Sequence, residues 1–362
     1  MNFITTNISK VLLLSTLCWG MVLIWYITSN VMPSLVSDND SVISKNAIQV
    51  TIADAPILLL PASQYKVSQL EIPKKPIIGK PMVTKPDTTS TSDDEDGVWN
   101  SISRDLKLDH QADSAKVKSE VKKILAEQGK FNSILKAAGP YIYYIFEQTK
   151  MKGLPAEVAL IPIIESEFNP NDRSSVGATG LWQLMSGTAH ELGVIVKGGY
   201  DGRRNVIAST RAALLYFNDL GKNFKGNWYL AFAAYNMGQG GVEKAVRRAG
   251  SQIFWNLSLP KETQYYIPKL LAVAEIIKNP EKYGVTLPPI SNEPYFAELK
   301  TKKSVDLSEL SNAVGAPLDA LRALNPDYKN GNVQPKNGVY TLLVPLPFLS
   351  KVEVFLKDNV IS

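Results

Sequence analysis

The chain has 362 residues, 45% of them hydrophobic and 20% charged, with a formal net charge of +5. That length suits one or two packed domains plus a tail, and the absence of any Lys/Arg block argues against nucleic acid as a partner. The single cysteine, Cys18, excludes an intrachain disulfide and a cysteine-based zinc site. His110 and His190 lie in no metal-ligand motif, so they read as surface or capping residues, and no motif implies a cofactor.

No charge occurs between Lys10 and Asp38. Residues 1–10 read as a short cytoplasmic N-terminus. The run 11–32, from Val11 to Met32, reaches the ~20 apolar residues that a bilayer crossing needs. Trp19, Trp25 and Tyr26 fit interfacial or lipid-facing positions. Lys10 on one side and Asp38 and Asp40 on the other put the body outside the cytoplasm, in the periplasmic part of an envelope. A cleaved signal peptide and a lipoprotein signal are the rival readings, although Leu17 stands where the latter needs a small residue. Residues 33–113 then read as an extended tether, with prolines scattered from Pro33 to Pro86 and an acidic tract, Asp93 to Asp96.

From Ser114 the pattern becomes helical, with Val117, Val121, Ile124 and Leu125 on one face. Further helices are predicted over Phe131–Thr149, from Pro155 to Glu165, and over Val206–Leu220, Asn227–Asn236, Gly240–Ala249 and Glu262–Ile277. Strand signals are scarce, so 114–285 reads as one all-helical domain. Residues 294–362 differ. Strand-like runs Tyr295–Leu299 and Val339–Pro345 flank two short helical runs, Leu307–Val314 and Pro317–Leu324, and Asp306 and Glu309 have capping-box spacing. The fold class expected is mainly α, with a small α+β module at the C-terminus and an anchor at the N-terminus.

The chemistry concentrates between Glu165 and Ala189. Glu165 closes an apolar helical run, and a carboxyl held at an apolar rim has its charged form disfavoured. Such a group is a candidate general acid. Ser166 follows directly and is placed to orient it. Glu167, two residues on, faces away and reads as solvated. Gly177 and Gly180 allow close approach of backbone to a ligand. Ser174 and Ser175 belong to the same loop. Trp182 and Met185 offer apolar surface, and the Gln183 amide both donates and accepts, as a sugar requires. Trp182 fits a core position equally well.

This run resembles the signature of the lytic transglycosylases, the goose-lysozyme-like enzymes that cut peptidoglycan. Two further blocks carry the resemblance. Ala233 to Gly241 is similar to the family's Ala-Tyr-Asn turn, with Met237 in place of the commoner alanine. Glu262 to Lys269 is similar to its Glu-Thr-x-x-Tyr helix. The resemblance extends to the membrane-bound D-type pattern through Tyr200 to Asn205, where Asp201 and Arg203 read as a structural ion pair. It implies a lysozyme-like fold for 114–285 and a LysM-like plan for 294–362. Whether that module binds the wall or is a plain appendage stays open.

The resemblance also implies roles. Glu165 would be the catalytic acid, then base. Ser166, Ser175, Gly177, Gly180, Trp182, Gln183, Met185, Tyr235, Asn236 and Tyr266 would line the substrate groove, with the Tyr235 hydroxyl toward Glu165 or the sugar and Asn236 bracing the turn. The expected reaction cleaves the MurNAc-β-1,4-GlcNAc bond and closes a 1,6-anhydro ring, so one acid suffices where an ordinary glycosidase needs two. A muramidase-type hydrolase on the same scaffold and a noncatalytic peptidoglycan-binding protein are the alternatives. The expected partners are glycan strands and, through the N-terminal segment, the inner membrane.

Overall fold

The structure is a computed structural model and describes residues 97–302, 304–328, 331–333 and 340–358. The chain divides into two units, Met1–Lys85 and Pro86–Ser362, and every described residue belongs to the second. The expected anchor, and the tether up to residue 96, lie outside the described residues. Among the described residues no helix is long and apolar enough to cross a membrane.

The helical domain starts earlier than its sequence pattern suggests. Helix α1 spans Val98–Asp105 and buries Val98, Trp99 and Ile102. Residues 98–113 are therefore folded and not part of a tether. Their short apolar stripe is masked in sequence by the acidic tract just before it. The Val98 N–H donates to the Ile290 carbonyl, so the end of the helical body meets its beginning.

Helix α2, Ala115–Ala126, begins at an N-cap where the Ser114 side chain accepts from the Val117 N–H. The single helix expected over Phe131–Thr149 is two, α3 at Gln128–Ala137 and α4 at Ile142–Met151. Pro140 sits between them. It has no N–H to give, and it disfavours helical geometry at Gly139 before it. The run into Glu165 is a 3-10 turn, Ala156–Leu160, followed by the short helix α5, Ile161–Glu165, with Pro162 in its first turn.

After the loop come α6, Ser186–Glu191, and a two-residue ribbon of β1, Val196–Lys197, with β2, Tyr200–Asp201. Four expected helices follow with small shifts of their ends. They are α7, Val206–Asn223; α8, Trp228–Met237; α9, Gln239–Ala249; and α10, Lys261–Lys278. Helix α10 is the spine of the domain. It packs against α1, α2, α5, α8 and the 3-10 turn before α5. Its apolar residues are buried on nearly every side, as a central helix requires.

His110 corrects the expectation of a surface or capping residue. It is buried, with its two ring nitrogens each 3.4 Å from a carboxylate, Glu157 Oε1 and Glu275 Oε2. Glu157 Oε1 also accepts from the N–H groups of Lys107 and Leu108. Glu275 Oε1 is met by Lys282, Tyr283 and Asn279. Buried carboxylates need such partners, and that need draws the imidazole inward.

The C-terminal module matches its expected pattern. Strands β3, Phe296–Thr301, and β6, Tyr340–Pro345, pair antiparallel with Phe296 opposite Pro345. Between them lie β4, Val305–Asp306; α11, Leu307–Val314; α12, Leu318–Leu324; and β5, Asn332–Val333. Asp306 Oδ1 caps α11 by accepting from the Ser308 and Glu309 N–H groups. Helix α13, Leu349–Asp358, closes the module and carried no signal in the sequence reading. Strand β6 alternates between two cores. Leu342 and Val344 enter the module's own core, and Leu343 joins Leu324 in the core of the helical domain.

Candidate active site

Glu165 is the last residue of α5, whose Ile161 and Ile163 anchor it in the core. The chain then reverses abruptly. Glu167 and Phe168 adopt φ of 53° and 58°, two successive non-glycine residues in the left-handed region. The turn is held by the Pro162 carbonyl, which accepts from the N–H groups of Ser166 and Phe168. The buried Phe168 ring lies parallel to Tyr141, with centroids 6.4 Å apart. Backbone strain of this kind persists only where the surroundings over-determine it. Its effect is to leave Glu165 at the lip of a cleft.

The cleft encloses about 480 Å³. One wall is Ile164 to Glu167 with Asn169 and Asp172, and the facing wall is α3, through Lys130, Ser133, Ile134 and Ala137. Glu165 Oε1 accepts a hydrogen bond of 2.6 Å from the Tyr266 hydroxyl. Burial pushes the Glu165 carboxyl up to about 7, against the opposing pull of the Tyr266 hydrogen bond and of Lys269; Glu262 adds a small push in the same direction as burial. A carboxyl of this kind shares its time between acid and base near neutral pH. Burial, and then Glu165, hold the Tyr266 phenol well above its ordinary range, so it stays a donor.

The loop after Asp172 is built as a small antiparallel fold. Thr179 bridges both Arg173 and Leu184. The Gly180 N–H donates to the Asp172 carbonyl, and Ser174 Oγ accepts from the Ala178 N–H. Gly180 has φ of 86°, and a Cβ there would lie 2.0 Å from the Arg203 carbonyl oxygen. Only glycine fits. Arg203 clamps the loop from the other side. Its guanidinium pairs with Asp201 at 2.9 Å and donates to the carbonyls of Gly177 and Leu184. The expected structural ion pair is thus the fastening of the loop.

The expected groove residues separate into groups. Glu165 and Tyr266 meet directly. Ser166 is buried, and its hydroxyl donates to the Leu181 carbonyl at 2.9 Å, which pins the loop and leaves the carboxylate to Tyr266. Trp182 is fully buried, donates to Thr210 Oγ1 at 3.0 Å and packs on Phe217. It serves the core, and the alternative of a sugar platform does not fit that burial. The Gln183 amide nitrogen donates to the Gly180 carbonyl at 2.9 Å, so that donor is committed within the loop.

Tyr235 stacks on Phe217 and donates to the Trp182 carbonyl at 2.6 Å, not to Glu165. Burial, and then the Glu165 charge, hold its phenol well above the usual range. Asn236 braces its turn as expected, accepting from Thr263 Oγ1 and donating to Glu262. Ser175 and Met185 are exposed. Glu167 is exposed and ion-paired to Lys130 at 2.6 Å. The α3 wall was missed because its residues carry no motif; only the long-range packing of α3 brings them to Glu165.

Residues 143–258 match the transglycosylase SLT domain model, which covers Glu165, Gln183 and Tyr235. Residues 295–358 match the LysM-like domain of lytic transglycosylase MltD. Membrane-bound lytic murein transglycosylase D of Escherichia coli (strain K12) is 35% identical over 263 residues, which are 72% of this chain and 58% of that protein. The chain belongs to the lytic transglycosylase family. It spans little more than half the length of that relative. A putative tributyltin chloride resistance protein of Alteromonas sp. (strain M-1) is 39% identical over 173 residues, 47% of this chain and 82% of that protein. Among solved structures, the 70 kDa soluble lytic transglycosylase of Escherichia coli matches with a TM-score of 0.36 and 23% identity, over 47% of this chain and 31% of that one. The matched SLT segment of this chain ends before Tyr266. The partner of Glu165 therefore comes from a helix outside it.

Proposed function

We propose that the protein is a peptidoglycan lytic transglycosylase in which Glu165 acts first as acid and then as base. The observation that carries the reading is the Glu165–Tyr266 pair at the cleft, with the Glu165 carboxyl raised to about 7. In the first step protonated Glu165 gives its proton to the glycosidic oxygen between MurNAc and GlcNAc. The C1–O bond breaks, GlcNAc leaves as an alcohol, and positive charge develops at C1. In the second step the Glu165 carboxylate takes the proton from the C6 hydroxyl of MurNAc, and O6 bonds to C1. Glu165 ends protonated, and no water is consumed. Ring closure is intramolecular and gains effective molarity over water. The Tyr266 hydroxyl stabilises the carboxylate between the two steps, when the charge is on it.

A hydrolase would need a second carboxylate to activate water. Of the other acids lining the cleft, Glu167 is committed to Lys130, and Asp172 would be the candidate second carboxylate of the muramidase alternative. The apolar run 11–32 and the membrane-bound relative support a protein anchored at the inner membrane, with its catalytic body in the periplasm. The test is mass spectrometry of peptidoglycan digested by the protein and by Glu165→Gln. Anhydro-MurNAc ends, absent with the variant, support the reading. Products one water heavier would make it a muramidase, and no product from either protein would favour a binding role.

A further inference from the structure

The C-terminal module sits against the helical domain through its Leu324-Asn325-Pro326-Asp327-Tyr328 segment, and that contact is polar at its centre. Asp327 is buried, and its Oδ2 accepts from the Nδ2 of buried Asn205 at 2.8 Å. The Asp327 carbonyl accepts from the Asp201 N–H at 3.2 Å. Tyr328 bridges Tyr200, with ring centroids 5.5 Å apart. The Tyr141 hydroxyl donates to the Ala323 carbonyl. Within the module, Asn325 holds the segment rigid by donating to the Leu321 and Leu343 carbonyls and accepting from the Leu343 N–H.

The residues that Asp327 touches lie in one turn, from Tyr200 to Asn205. The same turn holds the cleft loop. Asp201 orients the Arg203 guanidinium, which donates to the Gly177 and Leu184 carbonyls. The Arg203 carbonyl fills the space that a side chain at position 180 would take. Asn205 Oδ1 caps α7 by accepting from the Ala208 N–H, which leaves its amide nitrogen for Asp327.

We propose that Asp327 is a positioning residue for the catalytic cleft: through Asn205 and the Asp201 backbone it fixes the turn whose Arg203 clamps the Gly177–Leu184 loop. Its catalytic consequence rests on the function proposed above. The module is then a brace of the active site, whatever else it binds. Burial raises the Asp327 carboxyl to about 7, so a neutral acceptor of the same shape serves in its place.

The experiment uses the full chain, with amide hydrogen exchange of the 174–184 loop read beside turnover of soluble glycan strands. Asp327→Ala is expected to speed exchange in the loop and to lower kcat about tenfold with KM within about twofold, since a small misplacement of a reacting group is enough for such a loss. Asp327→Asn keeps the acceptor and restores both readouts. Asn205→Ser keeps the helix cap but loses the amide N–H that reaches Asp327, because the serine hydroxyl sits on a shorter side chain; it reproduces the effect of Asp327→Ala and serves if that variant does not fold. Lys351→Ala, exposed on α13, changes neither. Parental loop exchange in Asp327→Ala and Asn205→Ser overturns the inference. Faster loop exchange in a protein that yields no anhydro product would leave the inference standing and remove the proposed activity instead.

Discussion

The Tyr266 hydroxyl donates to Glu165 Oε1 at 2.6 Å, joining the second turn of α10 to the last residue of α5. One rung of the α10 ladder is missing beside it, because Pro268 has no N–H to give to the Gln264 carbonyl. Tyr266→Phe keeps the ring and removes the donor. A hydrogen bond to a charged group is worth ~1.5–3 kcal/mol, so kcat should fall roughly ten- to a hundredfold. The lost bond had favoured the carboxylate, so the Glu165 pKa rises further and the alkaline limb of the rate profile moves to higher pH. A pH–rate profile of the variant checks both, and an unmoved limb would remove Tyr266 from the acid's environment.

The raised Glu165 carboxyl fixes the direction of two pH effects. Bond cleavage needs the protonated form, so the rate should decline as pH rises through about 7. Stability follows the same titration. The folded pKa lies above the unfolded value of ~4.3, so the folded state binds the extra proton between them. Relative to Glu165→Gln, the parent is at its best below about pH 4.3, loses ground up to about pH 7 and holds a constant deficit above. With one edge of the carboxyl open to the cleft, that deficit should be on the order of 2 kcal/mol. Thermal unfolding of both proteins across pH measures it. A variant less stable than the parent at pH 8 would contradict the burial effect.

Gly180→Ala should be among the most damaging single changes in the chain. The added methyl would meet the Arg203 carbonyl, and the backbone there has positive φ. Strain and displacement together should cost ~3 kcal/mol or more of stability. Chemical denaturation provides the measurement. A near-neutral result would mean that the loop has another packing open to it.

Tyr235→Phe should cost far less activity than Glu165→Gln. The ring stays stacked on Phe217, and the change removes one hydrogen bond, to the Trp182 carbonyl. About 1 kcal/mol of stability and a few-fold loss of kcat are expected. A loss as deep as that of the acid, read on the same glycan strands, would give the tyrosine a direct part in proton transfer.

Trp182→Ala is expected to act on stability, at ~3–5 kcal/mol, because the indole is a fully buried core side chain. Unfolding by denaturant tests this. Loss of substrate affinity with the parental unfolding midpoint would restore the sugar-platform reading of this residue.

Glu165, Tyr266 and the glycine loop were legible in the sequence because their constraints are local. A carboxyl at an apolar rim, a left-handed glycine and a motif tyrosine each leave a mark at a fixed spacing. Trp182 was ambiguous, since a tryptophan next to a substrate loop satisfies a core and a groove equally until the Thr210 bond is seen. The direction of the Tyr235 hydroxyl is not carried by its motif; it goes to the Trp182 carbonyl. His110, Lys130 and the whole of α1 depend on partners far away in the chain, and no window of sequence shows them. Helices α7 to α12 follow their expected ranges closely, whereas Pro140 breaks one expected helix, Pro162 tightens another, and the short α6 and the terminal α13 lack a sequence pattern of their own.

The hydrogen bond from Val98 to Ile290 bears on the order of synthesis. Helix α1 leaves the ribosome long before α10, the helix against which it packs, and it must wait with its apolar stripe unburied. Glu165 waits as well, because Tyr266 arrives on that same late helix. A chain interrupted before α10 would carry the acid without its donor and without a closed core. The acid and its donor can meet only once nearly the whole helical body has been made.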